Sequence, residues 1–230
     1  MLHNHDGDLL FTCSDDGTVC MYETSQLVRI GVFHVKEAIR SIDITKDSKY
    51  LIVAATTVGV QIYEISSGQR LVSIKVPGVN SKTVALNYGD TQVLCNYEFE
   101  KKSFIRIFNL AECLSQTTPP VVHEISTTQD CNFTCVVWGP KNETLFVSTN
   151  RGQVMKYDIS LGVFIKEEAV HRGEILSLHI TYDYTMLMTG SKDGYAKLLH
   201  PETLKTVKEY HYGKPVRSAT ISPLFDNVKH

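Results

Sequence analysis

The sequence predicts an all-β fold in which four-stranded antiparallel sheets repeat along the chain. Three observations support this prediction. A hexapeptide recurs at a nearly constant spacing, three short runs with strand patterning follow each copy, and no segment has a capped apolar stripe of helical period. The chain has 230 residues, of which 43% are hydrophobic and 21% charged. This composition is typical of a globular protein with a sizeable core.

The hexapeptide first occurs at residues 40–45, as Arg-Ser-Ile-Asp-Ile-Thr. Similar segments follow at 82–87, 134–139, 176–181 and 217–222, so successive copies start 42, 52, 42 and 41 residues apart. Three of these steps match the period of about 40–45 residues that a propeller blade has. We expect a loop insertion at 109–120, within the long step, because this stretch ends in Thr-Thr-Pro-Pro.

Each of the first four hexapeptides begins a unit that three further runs complete. A second apolar run leads to a tight turn ending in glycine, at Gly17, Gly152 and Gly194, where we expect a positive φ. A third run ends in a large residue followed by a polar one, and a fourth, more polar run closes the unit. Four short strands repeated around an axis describe a β-propeller. We expect one propeller domain, with blades at about 7–33, 38–76, 80–126, 131–168 and 171–211 and a lone strand at 215–222.

A buried polar network is typical of WD40 blades. It joins a His before the first strand, a Ser or Thr at the end of the second, an Asp in the turn and a Trp in the third, because buried polar groups must be paired. The residues at matching positions are His171, Ser191 and Asp193 in the last blade, Ser14, Asp16 and Tyr22 in the first, and Thr149 and Tyr157 in the fourth. Leu199 and Arg151 replace Trp and Asp, and His34 is a candidate equivalent of His171, one residue out of step. The motif is degenerate, but its repetition predicts a WD40 propeller.

Several segments carry a closer resemblance. They include Gly-Asp-Leu-Leu-Phe-Thr at 7–12, Val-Trp-Gly-Pro at 137–140 and Thr-Gly-Ser-Lys-Asp-Gly-Tyr-Ala-Lys-Leu at 189–198, and they extend to Pro223. The chain resembles the family of eukaryotic translation initiation factor 3 subunit I in these segments and in their order. The similarity is strongest over 171–223 and loosest over 60–130.

The resemblance implies a non-catalytic WD40 subunit that docks other subunits of the same factor, notably subunits b and g. It further implies a link to the small ribosomal subunit through the complex, and a role in assembly of the 43S pre-initiation complex and in mRNA recruitment. Relatives of this family include a receptor-kinase-associated WD40 protein. A WD40 adaptor in receptor-kinase signalling is therefore the alternative.

The family pattern implies seven blades, and this sequence contains about five of them. We expect the first blade to begin at its second strand and the chain to stop after one strand of a sixth unit, as in a product truncated at both ends. Three strands, four complete blades and one lone strand also give the twenty strands of five blades. The ring closes in that alternative if the last strand completes the first blade.

Composition argues against several other classes of function. The formal net charge is −2, which does not supply the basic field that direct nucleic-acid binding requires. We find no apolar run long enough to span a membrane and no signal peptide at the N-terminus, so we expect a cytoplasmic protein.

No common catalytic or cofactor-binding motif is present either. The sequence lacks G-x-S-x-G, H-E-x-x-H and the phosphate-binding G-x-x-x-x-G-K, and we expect no enzyme, cofactor or metal. His171 and Asp193 resemble a catalytic base and the residue that orients it. Their spacing fits the blade network better.

A propeller presents rigid loop surfaces that suit partner docking. Candidate contacts are loop residues of the types that anchor interfaces or carry charge. They are Tyr182, Tyr184, Lys192, Tyr210, Tyr212, Lys214 and Arg217. The alternative for any one of them is packing within the blade, or simple solubility in the case of the lysines.

Overall fold

The computed structural model describes residues 1–57, 59–75, 79–116, 118–127 and 131–221. Within these residues the chain forms five four-stranded antiparallel sheets, which we call blades 1 to 5. The chain divides into two compact units: Met1–Thr128 contains blades 1 to 3, and Gln129–His230 contains blades 4 and 5. Thr117 of the predicted insertion and Ser222 of the predicted lone strand lie outside the described residues.

Within each blade the four strands pair in chain order, so the first and the fourth strand form the two edges of the sheet. Blade 1 contains β1 (Leu2–His3), β2 (Leu9–Cys13), β3 (Thr18–Glu23) and β4 (Val28–His34). Blade 2 contains β5 (Ile39–Ile44), β6 (Tyr50–Ala55), β7 (Gly59–Glu64) and β8 (Arg70–Ile74). Blade 3 contains β9 (Val79–Leu86), β10 (Gln92–Phe99), β11 (Lys102–Asn109) and β12 (Val121–Ser126). Blade 4 contains β13 (Phe133–Trp138), β14 (Thr144–Thr149), β15 (Gln153–Asp158) and β16 (Val163–Ala169). Blade 5 contains β17 (Ile175–Ile180), β18 (Leu187–Ser191), β19 (Tyr195–Leu199) and β20 (Thr206–His211).

The middle strands of blade 2 are apolar because both faces of this blade are covered. In β6, Leu51 and Val53 pack into a cluster with Phe11 and Val19 of blade 1. The alternate residue Ile52 packs into a second cluster, which contains core residues of blade 3. Strands buried on two sides read as continuous apolar runs rather than as alternating ones. The outer strands are wetter, as the sequence predicted.

The predicted glycine turns are confirmed. Gly17, Gly152 and Gly194 have φ of 80°, 79° and 88°, values in the left-handed region that favours glycine. At Gly152 a side chain would also lack room, because a Cβ built there would lie 2.2 Å from the carbonyl oxygen of His171.

The prediction that blade 1 begins at its second strand is wrong. Leu2 pairs with Phe11 and His3 pairs with Leu10, so the position next to β2 is filled by the two residues of β1. The alternative in which the last strand completes blade 1 fails for the same reason. A two-residue strand carries no periodicity that a sequence pattern could reveal.

The lone strand predicted at 215–222 is also not observed over residues 215–221. This segment lies along blade 5, held by hydrogen bonds from Val216 N to Ser191 O (2.9 Å) and from Ala219 N to Ser177 Oγ (3.0 Å). These are single contacts rather than a ladder, and Pro215 has no N–H to contribute to one.

The insertion at 109–120 contains a short helix where the sequence predicted only a loop. Helix α1 spans Leu110–Ser115, and Asn109 caps it by accepting hydrogen bonds from Ala111 N (2.9 Å) and Glu112 N (3.3 Å). Leu110 and Cys113 are buried in the core cluster shared by blades 2 and 3. Six residues are too few to show helical periodicity, so the sequence pattern missed this element.

The last residue of the hexapeptide has a structural role that explains its chemistry. Thr45 Oγ1, Asn87 Oδ1 and Thr181 Oγ1 each accept a hydrogen bond from the backbone N–H five residues later, at 3.0, 2.9 and 3.0 Å. In blade 1, Asn4 Oδ1 accepts a hydrogen bond from Leu9 N in the same way, at 3.0 Å. These side chains cap the turn between the first two strands, because a short polar side chain can replace a missing backbone partner.

Removing the cap in blade 3 should destabilise the protein. Asn87→Ala leaves the N–H groups of Thr91 and Gln92 without their side-chain acceptor. We expect the free energy of unfolding to fall by about 1–2 kcal/mol. Asn87→Thr, with the residue type found at positions 45 and 181, should restore most of the loss. Equal stabilities of the two variants in denaturant titrations would contradict the capping role.

Substitution at Gly152 tests the tight turn. Gly152→Ala combines an unfavourable φ with a clash against the His171 carbonyl, and we expect a loss of about 2 kcal/mol or more. Gly7→Ala is the matched control, because Gly7 has a similar φ of 76° and nothing within 4 Å of the added Cβ. Its loss should be about 1 kcal/mol. Thermal or chemical denaturation that gave both variants the same stability would show that the clash is relieved at no cost.

Candidate partner-docking site

Blade 5 contains a buried polar network centred on His171. The His171 side chain is fully buried, and its Nδ1 lies 3.0 Å from Asp193 Oδ2 and 3.2 Å from Oδ1. Its Nε2 lies 2.8 Å from Thr189 Oγ1. An ionised carboxylate can only accept, so Nδ1 carries the proton, and Nε2 of a neutral ring accepts from the threonine hydroxyl.

The electrostatics of this pair favour a neutral ring beside an ionised carboxylate. Burial lowers the pKa of His171, and the hydrogen bond and charge of Asp193 oppose this effect only in part. Burial acts to raise the pKa of Asp193, but hydrogen bonds from Arg172 N, Tyr195 N and His171 outweigh it and hold the pKa below its usual value. At neutral pH the network is therefore held by hydrogen bonds between a neutral His171 and an ionised Asp193, rather than by an ion pair.

Ser191 does not contact the His171 ring, contrary to its predicted place in the network. Its hydroxyl donates to Gly173 O (3.1 Å) and accepts from Asp193 N (3.2 Å), so it orders the turn instead. Thr189, two residues earlier on β18, is the member that the sequence analysis missed. Strand alternation could have indicated Thr189 as a candidate, because Thr189 and Ser191 point to the same face of the sheet.

In blades 1 and 4 the predicted network residues act locally. Ser14 Oγ accepts from Asp16 N (3.2 Å), and Asp16 Oδ1 accepts from Thr18 N (2.9 Å) and Thr18 Oγ1 (2.7 Å) within the exposed turn. These bonds to Thr18 hold the pKa of Asp16 below its usual value. Tyr22, at the end of β3, is partly buried.

Thr149 and Tyr157 are both buried in blade 4. Thr149 Oγ1 accepts from Gln153 N at 3.2 Å and from Arg151 N at 3.3 Å, so it orders the turn much as Ser191 does. Tyr157 packs edge-on against Phe164, and burial raises the pKa of its hydroxyl.

His34 is not an equivalent of His171. It is the last residue of β4 and is exposed. The buried residue that follows it, Val35, corresponds to Val170, because Val35 N donates to Gly17 O as Val170 N donates to Gly152 O, so the residue at the place of His171 is Lys36. The sequence suggested His34 because of its position before a blade, but residue type alone did not reveal which side chain turns inward.

The candidate docking residues fall at two opposite ends of blade 5. Tyr182 and Tyr184 lie in the turn between β17 and β18, next to the Ile180–Leu187 pair. Lys192, Tyr212 and Lys214 lie at the other end, where Ser191 leads into β19 and β20 ends. The structure therefore does not bring all seven residues together.

Exposure separates the candidates further. Tyr182 and Tyr212 are 75% and 65% exposed. Tyr210 is partly buried and lies 5.3 Å from Lys208 Nζ, measured to the ring centroid, so it contributes to the blade. Lys192 pairs with Glu174 at 2.5 Å. Lys214 and Arg217 are exposed, and neither takes part in the ion pairs observed in the described part of the chain.

Three candidates line one groove. Tyr212, Lys214 and Arg217 border a groove of about 720 Å³, which we call the blade 5 groove. Its apolar part is formed by Met188, Ala196 and Val216, which the sequence analysis did not single out. An aromatic ring and two cations beside apolar side chains are the chemistry of a protein-docking surface.

Asp43 is a partly buried titratable group outside that groove, on the first strand of blade 2. Its Oδ2 accepts from Leu86 N of blade 3 at 2.7 Å, and its Oδ1 accepts from Ile44 N at 2.8 Å. Burial raises its pKa to about 6 despite these bonds, and the charge of Asp90 adds to the effect. The carboxylate thus links two blades at an electrostatic cost.

The described residues also bear on two other kinds of site. No helix among them has both the length and the apolar character needed to cross a membrane. No cluster of three or more His, Cys, Asp or Glu side chains suited to a metal ion occurs among those same residues.

Comparison with known proteins gives consistent results. The family model described as WD domain, G-beta repeat matches residues 1–23 and 162–199. The chain is similar to eukaryotic translation initiation factor 3 subunit I of Dictyostelium discoideum, with 32% identity over 99% of this chain and 69% of that protein. It is also similar to the same subunit of Drosophila willistoni, with 28% identity over 98% of this chain and 71% of that protein.

A solved structure supports the fold. The β-propeller domain of Cps50 (Swd1) from Myceliophteria thermophila superimposes with a TM-score of 0.75, covering 91% of this chain and 70% of that chain at 17% identity. At this identity the likeness shows the fold alone. Together with the repeat match, it shows an all-β WD40-type propeller with antiparallel four-stranded blades.

Asp43→Asn should change how stability depends on pH. The pKa is about 6 in the folded chain and 3.8 for an ordinary Asp, so folding takes up a proton between these values. The stability that this group contributes is therefore present at low pH and is lost as pH rises through about 6. The stability of the native chain relative to Asp43→Asn should fall over this range.

Urea titrations of both proteins at several pH values between about 4 and about 7.5 measure this difference. His171 titrates in both proteins, so its contribution cancels. A difference in unfolding free energy that stays constant with pH would contradict the raised pKa.

Proposed function

The chain belongs to the family of eukaryotic translation initiation factor 3 subunit I, and on this premise we propose that it is a non-catalytic scaffold subunit of that factor. Two observations support the proposal. The similarity extends over 99% of the chain to a relative that bears this name, and the propeller presents a groove with the composition of a docking surface. In this role the protein acts in the cytoplasm, where translation initiation takes place.

The proposed partners are other subunits of the factor, notably subunits b and g. Contact with the small ribosomal subunit is then made through the assembled complex, in which the protein supports 43S assembly and mRNA recruitment. The net charge of −2 favours such protein-mediated contact over direct binding to RNA.

We propose the blade 5 groove as the docking site. The observation that carries this assignment is that Tyr212, Lys214 and Arg217 line one groove together with apolar Met188 and Val216. Such a groove fits a partner segment with apolar residues flanked by acidic ones. The apolar residues then contribute buried area, and the carboxylates pair with Lys214 and Arg217, which sets orientation and association rate.

The experiment is affinity purification of the tagged chain from eukaryotic cells, read by quantitative mass spectrometry. The native chain should recover other subunits of initiation factor 3 and small-subunit ribosomal proteins. The double variant Tyr212→Ala/Lys214→Ala should recover the directly bound subunit at least about tenfold less, because it removes an aromatic anchor and a charge from the groove.

Tyr182→Ala is the matched control. It removes a tyrosine of similar exposure from the opposite end of the same blade, and it should leave recovery unchanged. Tyr182, Tyr212 and Lys214 are all exposed, and circular dichroism with thermal melting verifies that the variants fold. Undiminished recovery with the double variant would remove the groove assignment. Recovery of receptor kinases in place of initiation-factor subunits would instead support the adaptor alternative.

A further inference from the structure

A second cavity lies in the first unit, between blades 1 and 2. It has a volume of about 420 Å³ and lies between the end of β4 and the turn from β7 to β8. Three residues of its lining are basic, namely His34, Lys36 and Arg70, and none is acidic. We call it the cationic cavity. Because no carboxylate lines it, its walls attract an anion.

These basic residues are not neutralised elsewhere. None of the three takes part in an ion pair observed among the described residues. The nearby carboxylate of Asp16 is engaged by the backbone and hydroxyl of Thr18, at 2.9 and 2.7 Å. The charge of His34 is the weakest of the influences on the pKa of Asp16. The donors of the cavity are therefore available to a ligand.

A cavity beside blade 5 provides a contrast, since it too is lined by the connection that follows the fourth strand of the preceding blade. That cavity has a volume of about 510 Å³ and also contains basic residues, but its lining supplies their partners. His171 Nδ1 lies 3.0 Å from Asp193, and Lys197 Nζ lies 3.3 Å from Glu209. Two basic residues of this lining, His171 and Lys197, are thus paired with carboxylates of the protein itself.

Strand register identifies the replacements in blade 2. Glu209 pairs with Lys197 in blade 5, and Ser73 pairs with Gln61 at the corresponding place in blade 2. Thr57 lies two residues after the end of β6, as Asp193 lies two residues after the end of β18. The positions that supply the two carboxylates in blade 5 are therefore uncharged in blade 2, and they lie outside the lining of the cationic cavity, whose charge comes from His34, Lys36 and Arg70.

The rest of the lining indicates the size and polarity of a ligand. Val32, Val35 and the ring of Tyr63 form apolar walls, and the Tyr63 hydroxyl is already bound to Gln61 Oε1 at 2.6 Å. Arg70 offers a planar fork of donors, which matches the paired oxygens of phosphate and carboxylate. Apolar walls around such donors suit an anionic group on a short carbon stem.

We propose that the cationic cavity binds an anionic side chain of a partner protein, either a phosphorylated serine or threonine or a carboxylate. A nucleic-acid backbone is the less favoured occupant, because it needs a stripe of positive charge and the chain carries a net charge of −2. This site is independent of the proposed docking groove, since it lies in the other compact unit.

The test is an NMR titration of the whole chain with small probes, following the methyl groups of Val32 and Val35 and the amide of Gly68. The probes are N-acetyl-phosphoserine amide, N-acetyl-glutamate amide and, as the uncharged control, N-acetyl-serine amide. Either anionic probe should cause saturable shifts at these groups in about 150 mM salt. The phosphoserine probe should bind more tightly if phosphate is the natural group, and the glutamate probe if carboxylate is.

Arg70→Gln and Lys36→Gln should each weaken binding of the preferred probe by about fivefold or more, because each removes a charge-assisted hydrogen bond. Arg29→Gln is the matched control. Arg29 is an exposed arginine of β4 that does not line the cavity, and its variant should bind as the native chain does. Well-dispersed amide spectra identify variants that remain folded.

Three outcomes would overturn the proposal. They are shifts that do not saturate, shifts that are the same in Arg70→Gln and Arg29→Gln, and tighter binding of a short oligouridylate than of either amino-acid probe at the same methyl groups. None of these outcomes bears on partner recovery through Tyr212 and Lys214, so failure here is distinguishable from failure of the proposed function.

Discussion

Burial of apolar sheet faces against neighbouring blades is the interaction on which the rest of the structure depends, and blade 2 shows it on both faces. The residues of β6 alternate between two separate core clusters, one shared with blade 1 and the other with blade 3. A blade alone would leave at least one of these apolar faces in water, and at about 25 cal/mol per Å² that exposure would outweigh the modest polar bonds within a blade. Regular strand order, apolar middle strands and wetter outer strands all follow from this requirement.

This dependence explains which features could be predicted from sequence. The period of the hexapeptide and the two-sided apolar runs reflect stacking directly, so the blades were predicted from them. The strand that begins at Leu2 and the helix that begins at Leu110 were missed because each is too short to carry a period. Residues 215–221 resemble a first strand in sequence but have no ladder partner within the described residues, and a strand exists only with a partner to pair with.

The candidate site was predicted only in part. Residue type and loop position singled out Tyr212, Lys214 and Arg217, which line one groove, but could not tell that Tyr182 lies at the far end of the blade. The polar network shows the same limit. Sequence spacing located His171 and Asp193, whereas the choice between Thr189 and Ser191 depended on which hydroxyl meets the ring. Such choices depend on side-chain direction within a known sheet, which a single sequence does not contain.

The polar network is incomplete in most blades, and this leaves polar positions that can serve recognition. Only blade 5, among the blades described, closes the bond from His to Asp and Thr, and stacking holds the others without it. Lys36 follows Val35 as His171 follows Val170, so the position of the network histidine carries a lysine here, and this lysine lines the cationic cavity together with Arg70. A fold stabilised chiefly by apolar stacking can therefore vary its polar positions for recognition without losing its architecture.

Reciprocal bonds between blades 2 and 3 carry one more consequence. Asp43 of blade 2 accepts from Leu86 N of blade 3, and Asp90 of blade 3 accepts from Lys46 N of blade 2 at 2.6 Å. Neither blade can open without breaking a contact that orders the other, so the two should behave as one cooperative foldon. The slow hydrogen exchange of their inner amides would then share a single opening event, rather than fading strand by strand from one edge.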